Sequence, residues 1–322
     1  MIPKKAIKIA ALTIAFSLML TGCVKSNKEV TTSKKDVLVT LVLDKGGVND
    51  GSFNESAWTG AEQAQKELGV DVRYLESNTD SDYTSNIETA IDMNSDLIIG
   101  VGFNLSESIE KAAKSYPEQQ FAIIDGSFET IPENVTSVCF DEKQAGYLAG
   151  LATAKTLSTS DKFGFVGGFE VPAVINYRDG FEQGIKEINP NAVLYTQYAN
   201  SFTDASKGRV IAEQMISQGV VSIVGAAGGV NNGIYEVCKE KEKYAVAVDM
   251  AQNFMAPDTI LTSAIKKVDV GVFDTIKNYV DNKLTGGISM VYNLLSNGVG
   301  YEKTDLLTDD AIEYIENLNV TK

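Results

Sequence analysis

One event recurs along this chain. A short, β-branched apolar run stops at a glycine or an aspartate, and a helical pattern follows. It happens at Asp44, Gly102, Asp125, Gly167, Gly225 and Asp249. Runs such as Leu97–Val101 and Phe121–Ile124 are apolar on both faces, as a strand must be when helices cover both sides of its sheet. Strands alternating with helices mean βαβ units and parallel sheets, an α/β architecture. The event comes in two similar runs, one on each side of about residue 140. This predicts two α/β domains facing each other, with polar strand ends lining a cleft between them.

The first strand end is the richest. Leu41–Glu55 (LVLDKGGVNDGSFNE) reads as the end of a strand, a glycine-rich loop and the start of a helix capped by Ser52 or Asn54. The spacing is neither G-x-G-x-x-G nor a P-loop. Asp44 and Asp50 would repel an anion, and Lys45 is the loop's only cation. The expected ligand is therefore neutral and polar. Phe53 offers an aromatic face, although taken alone it reads equally as a core residue.

Charge points the same way. The net charge is −15, and Lys4, Lys5 and Lys8 fall within the first 22 residues, so the remainder carries −18. That argues against a protein that grips nucleic acid through its phosphates. The chain has no histidine, which removes the usual general base, His-containing triads and most zinc sites. Cys139, on a strand, and Cys238, on a helix, read as buried free thiols, with a disulfide between them as the alternative reading. Neither a cofactor nor a metal site is expected.

The three lysines precede an apolar run, Ile9–Leu20, of signal-peptide length and short for a membrane span. The run ends in Leu20-Thr21-Gly22-Cys23, which resembles the bacterial lipoprotein cleavage box. The resemblance implies a signal peptide over 1–22, cleavage before Cys23 and lipidation of that cysteine. Residues 23–35 then form a flexible tether, and the chain sits on the extracytoplasmic face of the cell membrane.

Eight stretches carry a wider resemblance: Val48–Gly60, Phe121–Gly126, Val138–Gly150, Lys162–Gly168, Arg178–Lys186, Val224–Gly229, Ala245–Gln252 and Thr262–Lys267. In their order and spacing the chain resembles the basic-membrane-protein family of bacterial lipoproteins. These are substrate-binding proteins of ABC transporters whose characterised members bind purine nucleosides. The resemblance implies a type I periplasmic-binding-protein fold of two Rossmann-like domains joined by several hinge crossings. One domain would take 36–140 and about 250–285, the other 141–249 and about 286–322. It implies stacking of the base on Phe53 and on Tyr177, where phenylalanine is usual. Asn54 or its neighbour and Asp125 would bond the base edge, and Asp50 would be a further ligand-binding residue. Asp249 and Lys266 would hold ribose hydroxyls, with Gly228 close to the sugar. The expected partners are a purine nucleoside (guanosine, inosine or adenosine), a permease and, through the lipid, the membrane.

Two other readings compete. A free sugar would suit the same fold. A calcium-dependent nucleoside hydrolase would need carboxylates converging on one point, for which Asp44, Asp50, Asp80 and Asp82 are the candidates, the last two expected in an open loop over Glu76–Tyr83. A binding protein rather than an enzyme is the favoured reading.

Overall fold

Every expected apolar run is a strand, and the most apolar lie mid-sheet, where both edges and both faces are covered. The computed structural model describes residues 37–318. The signal segment, Cys23 and the tether lie outside the described residues. The first part runs β1 (Leu38–Leu43), α1 (Phe53–Leu68), β2 (Asp71–Glu76), α2 (Asp80–Asp92), β3 (Leu97–Val101), α3 (Ser106–Ser115), β4 (Gln120–Ile124) and β5 (Val135–Phe140). Next come α4 (Glu142–Thr156), β6 (Lys162–Gly167), α5 (Pro172–Ile188), β7 (Val193–Tyr198), α6 (Ala205–Ser217), β8 (Ser222–Ala226), α7 (Val230–Glu240) and β9 (Tyr244–Asp249). The last part is β10 (Ile260–Lys266), α8 (Val268–Val280), β11 (Ile288–Tyr292), β12 (Val299–Tyr301) and α9 (Asp309–Glu316).

The strands form two six-stranded sheets, ordered β11-β5-β4-β3-β1-β2 and β12-β10-β9-β8-β6-β7. Neighbours are parallel except β10 and β12. Chain direction across the first sheet reverses between β1 and β3, and across the second between β6 and β8. In open parallel sheets the crevice for a ligand forms at such a point, beyond the carboxyl ends of the strands.

The chain passes between the two lobes three times, after β5, after β10 and after β11. The crossing segments bond one another: Asp141 N–H donates to the Tyr292 carbonyl at 2.8 Å, and Lys267 N–H to the Gly298 carbonyl at 2.9 Å. Two strand memberships differ from expectation. β10 belongs to the second sheet and β11 to the first, the reverse of the boundaries drawn above. Helix α8 packs on α1 of the first lobe. Two crossings within about thirty residues interleave the lobes, and apolar periodicity carries no mark of which sheet a strand joins.

Two close approaches set the position of the helices that reach the cleft. A methyl on Gly146 of α4 would lie 2.5 Å from the Tyr177 carbonyl oxygen, and one on Gly180 of α5 would lie 2.1 Å from that of Lys143. The α4–α5 contact is therefore backbone against backbone, which presents Tyr177 at the second lobe's inner edge. Helix α2 begins at Asp80, inside the stretch Glu76–Tyr83 that was expected to be an open loop. Its first turn is wholly polar, and the Asp82 carboxylate reaches back to Thr79 N–H at 2.8 Å, which satisfies the exposed helix end.

Candidate ligand-binding cleft

All eight residues singled out in the sequence border one cleft between the lobes, together with Asp44, Asn104, Phe202 and the apolar stretch of Val171, Ala173 and Val174. The space measures about 740 Å³ counted out to open solvent.

The first loop is built around Asp50. Its carboxylate accepts from Ser52 N–H at 2.9 Å, Asn54 N–H at 3.0 Å and Glu55 N–H at 3.1 Å. Asp50 is thus the cap of α1, in place of the expected Ser52 or Asn54 side chain, because a carboxylate two residues upstream can serve several free N–H groups at once. Burial pushes the Asp50 carboxyl up to about 6 despite those bonds. Ser52 is left to donate across the cleft to Asp249 Oδ2 at 2.6 Å. Asn54 is buried; its Nδ2 donates to the Asp44 carbonyl at 3.4 Å, and its Oδ1 has no protein partner.

Asp125 and Asp249 end β4 and β9 in the left-handed region, with φ of 58° and 70°. Short polar side chains tolerate that conformation best. The turns bring both carboxylates to Lys266, at the end of β10. Lys266 Nζ lies 2.5 Å from Asp125 Oδ2, 3.4 Å from Glu142 Oε1 and 3.9 Å from Asp249 Oδ1. Burial alone would push the ammonium down, but the three carboxylates outweigh it and hold Lys266 above its ordinary range. The Phe53 and Tyr177 rings flank the same ammonium, with centroids 4.8 and 5.7 Å away. Asp125 Oδ1, like Asn54 Oδ1, is buried without a protein partner.

Three features were missed in the sequence. Tyr177 is 3% exposed, and its hydroxyl donates to Asp249 Oδ1 at 3.2 Å. It is a floor residue with a polar task as well as a ring. Phe202 is more open than Tyr177 on the second lobe's side of the cleft; it packs edge-on against Phe169 at 5.2 Å, and its carbonyl accepts from Gly229 N–H at 2.8 Å beside Gly228. Nothing in Ser201-Phe202-Thr203 marks it, because the residue follows an edge strand. Glu142, behind Lys266, is as buried as a core residue but reads in sequence as an ordinary first-turn acid.

The hydrolase candidates do not converge. Asp44 accepts from Tyr83 Oη and from Asn104 Nδ2 at 2.8 Å. Asp80 pairs with Lys45 at 2.7 Å on the surface, and Asp82 is occupied at the start of α2. Among the described residues no helix is long and apolar enough to cross a membrane.

Residues 37–322 match the family model described as ABC transporter substrate-binding protein PnrA-like. The chain is 36% identical to the CD4+ T-cell-stimulating antigen of Listeria innocua, over 95% of this chain and 92% of that one. It is 34% identical to the ABC transporter nucleoside-binding protein BmpA of Lactococcus lactis, over 98% and 94%. Among solved structures, an ABC transporter solute-binding protein from Aeropyrum pernix K1 superposes with a TM-score of 0.80 at 28% identity, covering 87% of this chain and 89% of that one.

Proposed function

Because the chain belongs to the family of PnrA-like ABC transporter substrate-binding proteins, we propose that its cleft captures purine nucleosides and delivers them to a membrane permease. A lipid on Cys23 holds the protein at the extracytoplasmic face of the membrane. The family is one of binding proteins rather than enzymes, and the cleft suits capture. The observation that carries the reading is the row Asp125–Lys266–Asp249 beside the Phe53 ring. A nucleoside has one flat part and one polyhydroxylated part. An aromatic face stacks on the first, and carboxylates accept from the hydroxyls of the second.

The orphaned acceptors Asn54 Oδ1 and Asp125 Oδ1 call for N–H or O–H donors from the ligand. Asp44, Asp50, Asp125 and Asp249 face Lys45 and Lys266 in the lining, and Lys45 is tied to Asp80. That balance rejects nucleotides, whose phosphate would meet carboxylates. The nucleoside-binding relative from Lactococcus lactis supports the same ligand class. Calorimetry with guanosine, inosine and adenosine, their monophosphates, ribose and galactose tests the proposal. Heat from a nucleoside and none from its monophosphate is expected. Heat from a free sugar and from no nucleoside overturns it in favour of a sugar receptor.

A further inference from the structure

We propose that Glu142 is a positioning residue for Lys266, and that it takes up a proton from solvent when the cleft closes on its ligand. The inference rests on the nucleoside reading of the cleft, since a nucleoside is the probe. Glu142 does not line the cleft. It opens α4, just after the first crossing, and its two oxygens have different partners. Oε1 lies 3.4 Å from Lys266 Nζ, and Oε2 accepts from Asn176 Nδ2 of α5 at 3.1 Å.

Glu142, Lys266, Asn176 and Asp249 all belong to the second lobe, so these contacts persist whether the lobes are together or apart. Asp125 is the member that comes from the first lobe. Closing therefore presents one ammonium with three carboxylates, two within its own lobe and one across the cleft. The shared ammonium leaves negative charge over in a site shielded from water, and like charges at short range favour protonating one of them. Facing Glu142 are Lys266 of β10, Asp125 at the end of β4, Tyr177 of α5 and Cys139 of β5, while Asp249 at the end of β9 meets the shared ammonium.

Glu142 is the group best placed to take the proton. Asp125 has its one bonded oxygen 2.5 Å from Lys266, and Asp249 already accepts from Ser52 and Tyr177. The Asn176 amide opposes the proton, because its Nδ2 donates to the ionised carboxylate. Burial, partly offset by the attraction of Lys266 and aided by the smaller repulsion of Asp125, puts the Glu142 carboxyl at about 7 with the lobes together. Parting the lobes removes Asp125 and admits water, which returns the group toward the ordinary carboxylate range. A value higher closed than open means proton uptake on closing, with the tighter binding at low pH lost as pH rises toward about 7.

The test is calorimetry of guanosine binding in buffers of different ionisation enthalpy, which counts protons taken up. We expect uptake approaching one proton at about pH 6 and little at about pH 8, with affinity several-fold higher at the lower pH. Glu142→Gln should abolish the uptake and flatten the affinity profile. Asn176→Ala, a milder change that removes a bond to the ionised form, should move the midpoint upward. A wild type that binds guanosine with no uptake overturns the inference and leaves the nucleoside reading standing. Uptake that persists in folded Glu142→Gln, or an unmoved midpoint in Asn176→Ala, also overturns it. Absence of guanosine binding at any pH sinks the nucleoside reading instead.

Discussion

Ser52 and Asp249 lie 197 residues apart and on opposite lobes, yet the serine hydroxyl donates to the aspartate at 2.6 Å. The same aspartate accepts from Tyr177 and approaches Lys266. Asp249 is therefore, with the Lys266–Asp125 pair, a point where the two halves of the cleft are joined, and changes around it should be felt in closure as well as in ligand contact.

Ser52→Ala tests the joint directly. The hydroxyl does not cap α1, because Asp50 does, so the helix should survive. A bond to a charged group is worth about 1.5–3 kcal/mol. We expect nucleoside affinity to fall about tenfold or more, with an unchanged melting temperature of the ligand-free protein to within a few degrees. Small-angle scattering should show a larger radius of gyration at equal, subsaturating ligand. Unchanged affinity would mean that the contact does not bias closure.

Stability should fall as pH rises from about 5 to about 8. The Asp50 and Glu142 carboxyls stand at about 6 and about 7 in the folded protein, against ordinary values of 3.8 and 4.5. Groups raised by folding contribute stability that is present at low pH and lost as pH passes through the folded values. For Glu142 the loss is of order 2–3 kcal/mol. Thermal melts across this range at saturating guanosine, which keeps the lobes together, should show the decline, and Asp50→Asn should remove its lower part. A melting temperature that rises with pH would refute the assignment.

The strand ends were legible in the sequence because the physics there is local. A both-sides-buried strand is apolar throughout, and its end must turn, which selects glycine or aspartate. Hence Asp44, Gly102, Asp125 and Asp249 were identified correctly as strand ends, and the structure brings them to one cleft. Sheet membership was not legible for β10 and β11, since it depends on where a crossing lands. β12, three residues long and antiparallel, is too short to show a period. Glu142 and Phe202 gain their importance only from neighbours distant in the chain.

Lys266→Met should be the most damaging single change in the cleft. It leaves Asp125, Glu142 and Asp249 without the cation they share, and breaking a buried pair on one side costs about 3–5 kcal/mol. Urea titration should show a loss of that order, with nucleoside binding abolished. Adding Glu142→Gln to this variant should recover part of the stability, because one uncompensated charge is removed. A double variant no more stable than the single would argue that Glu142 does not share the ammonium.

The anchor is open to a separate test. Cys23→Ser should lose lipid labelling and shift the protein from the membrane to the soluble fraction, while nucleoside affinity of the soluble protein is unchanged. Continued membrane partition would place the anchor elsewhere.

The aromatic residues divide by geometry, and their variants should divide with them. Phe53 lies against Lys266 and borders the open cleft, so Phe53→Ala should cost about 1–3 kcal/mol of nucleoside binding, the value of one stacked base. Phe202→Ala should cost a similar amount if Phe202 supplies the opposite wall. Tyr177 differs. From sequence, Tyr177→Phe would be nearly silent because the ring face is kept. The structure gives its hydroxyl a bond to Asp249, and loss of a bond to a charged group at this 3.2 Å separation should cost about 1.5 kcal/mol. Comparing guanosine with guanine separates the effects. Phe53→Ala and Phe202→Ala should weaken both ligands in proportion, because both carry the base. Tyr177→Phe should weaken guanosine alone, because only the nucleoside has ribose hydroxyls to meet Asp249. If Tyr177→Phe weakens guanine as much as guanosine, Asp249 does not face the sugar, and the orientation of the nucleoside in the cleft must be reversed.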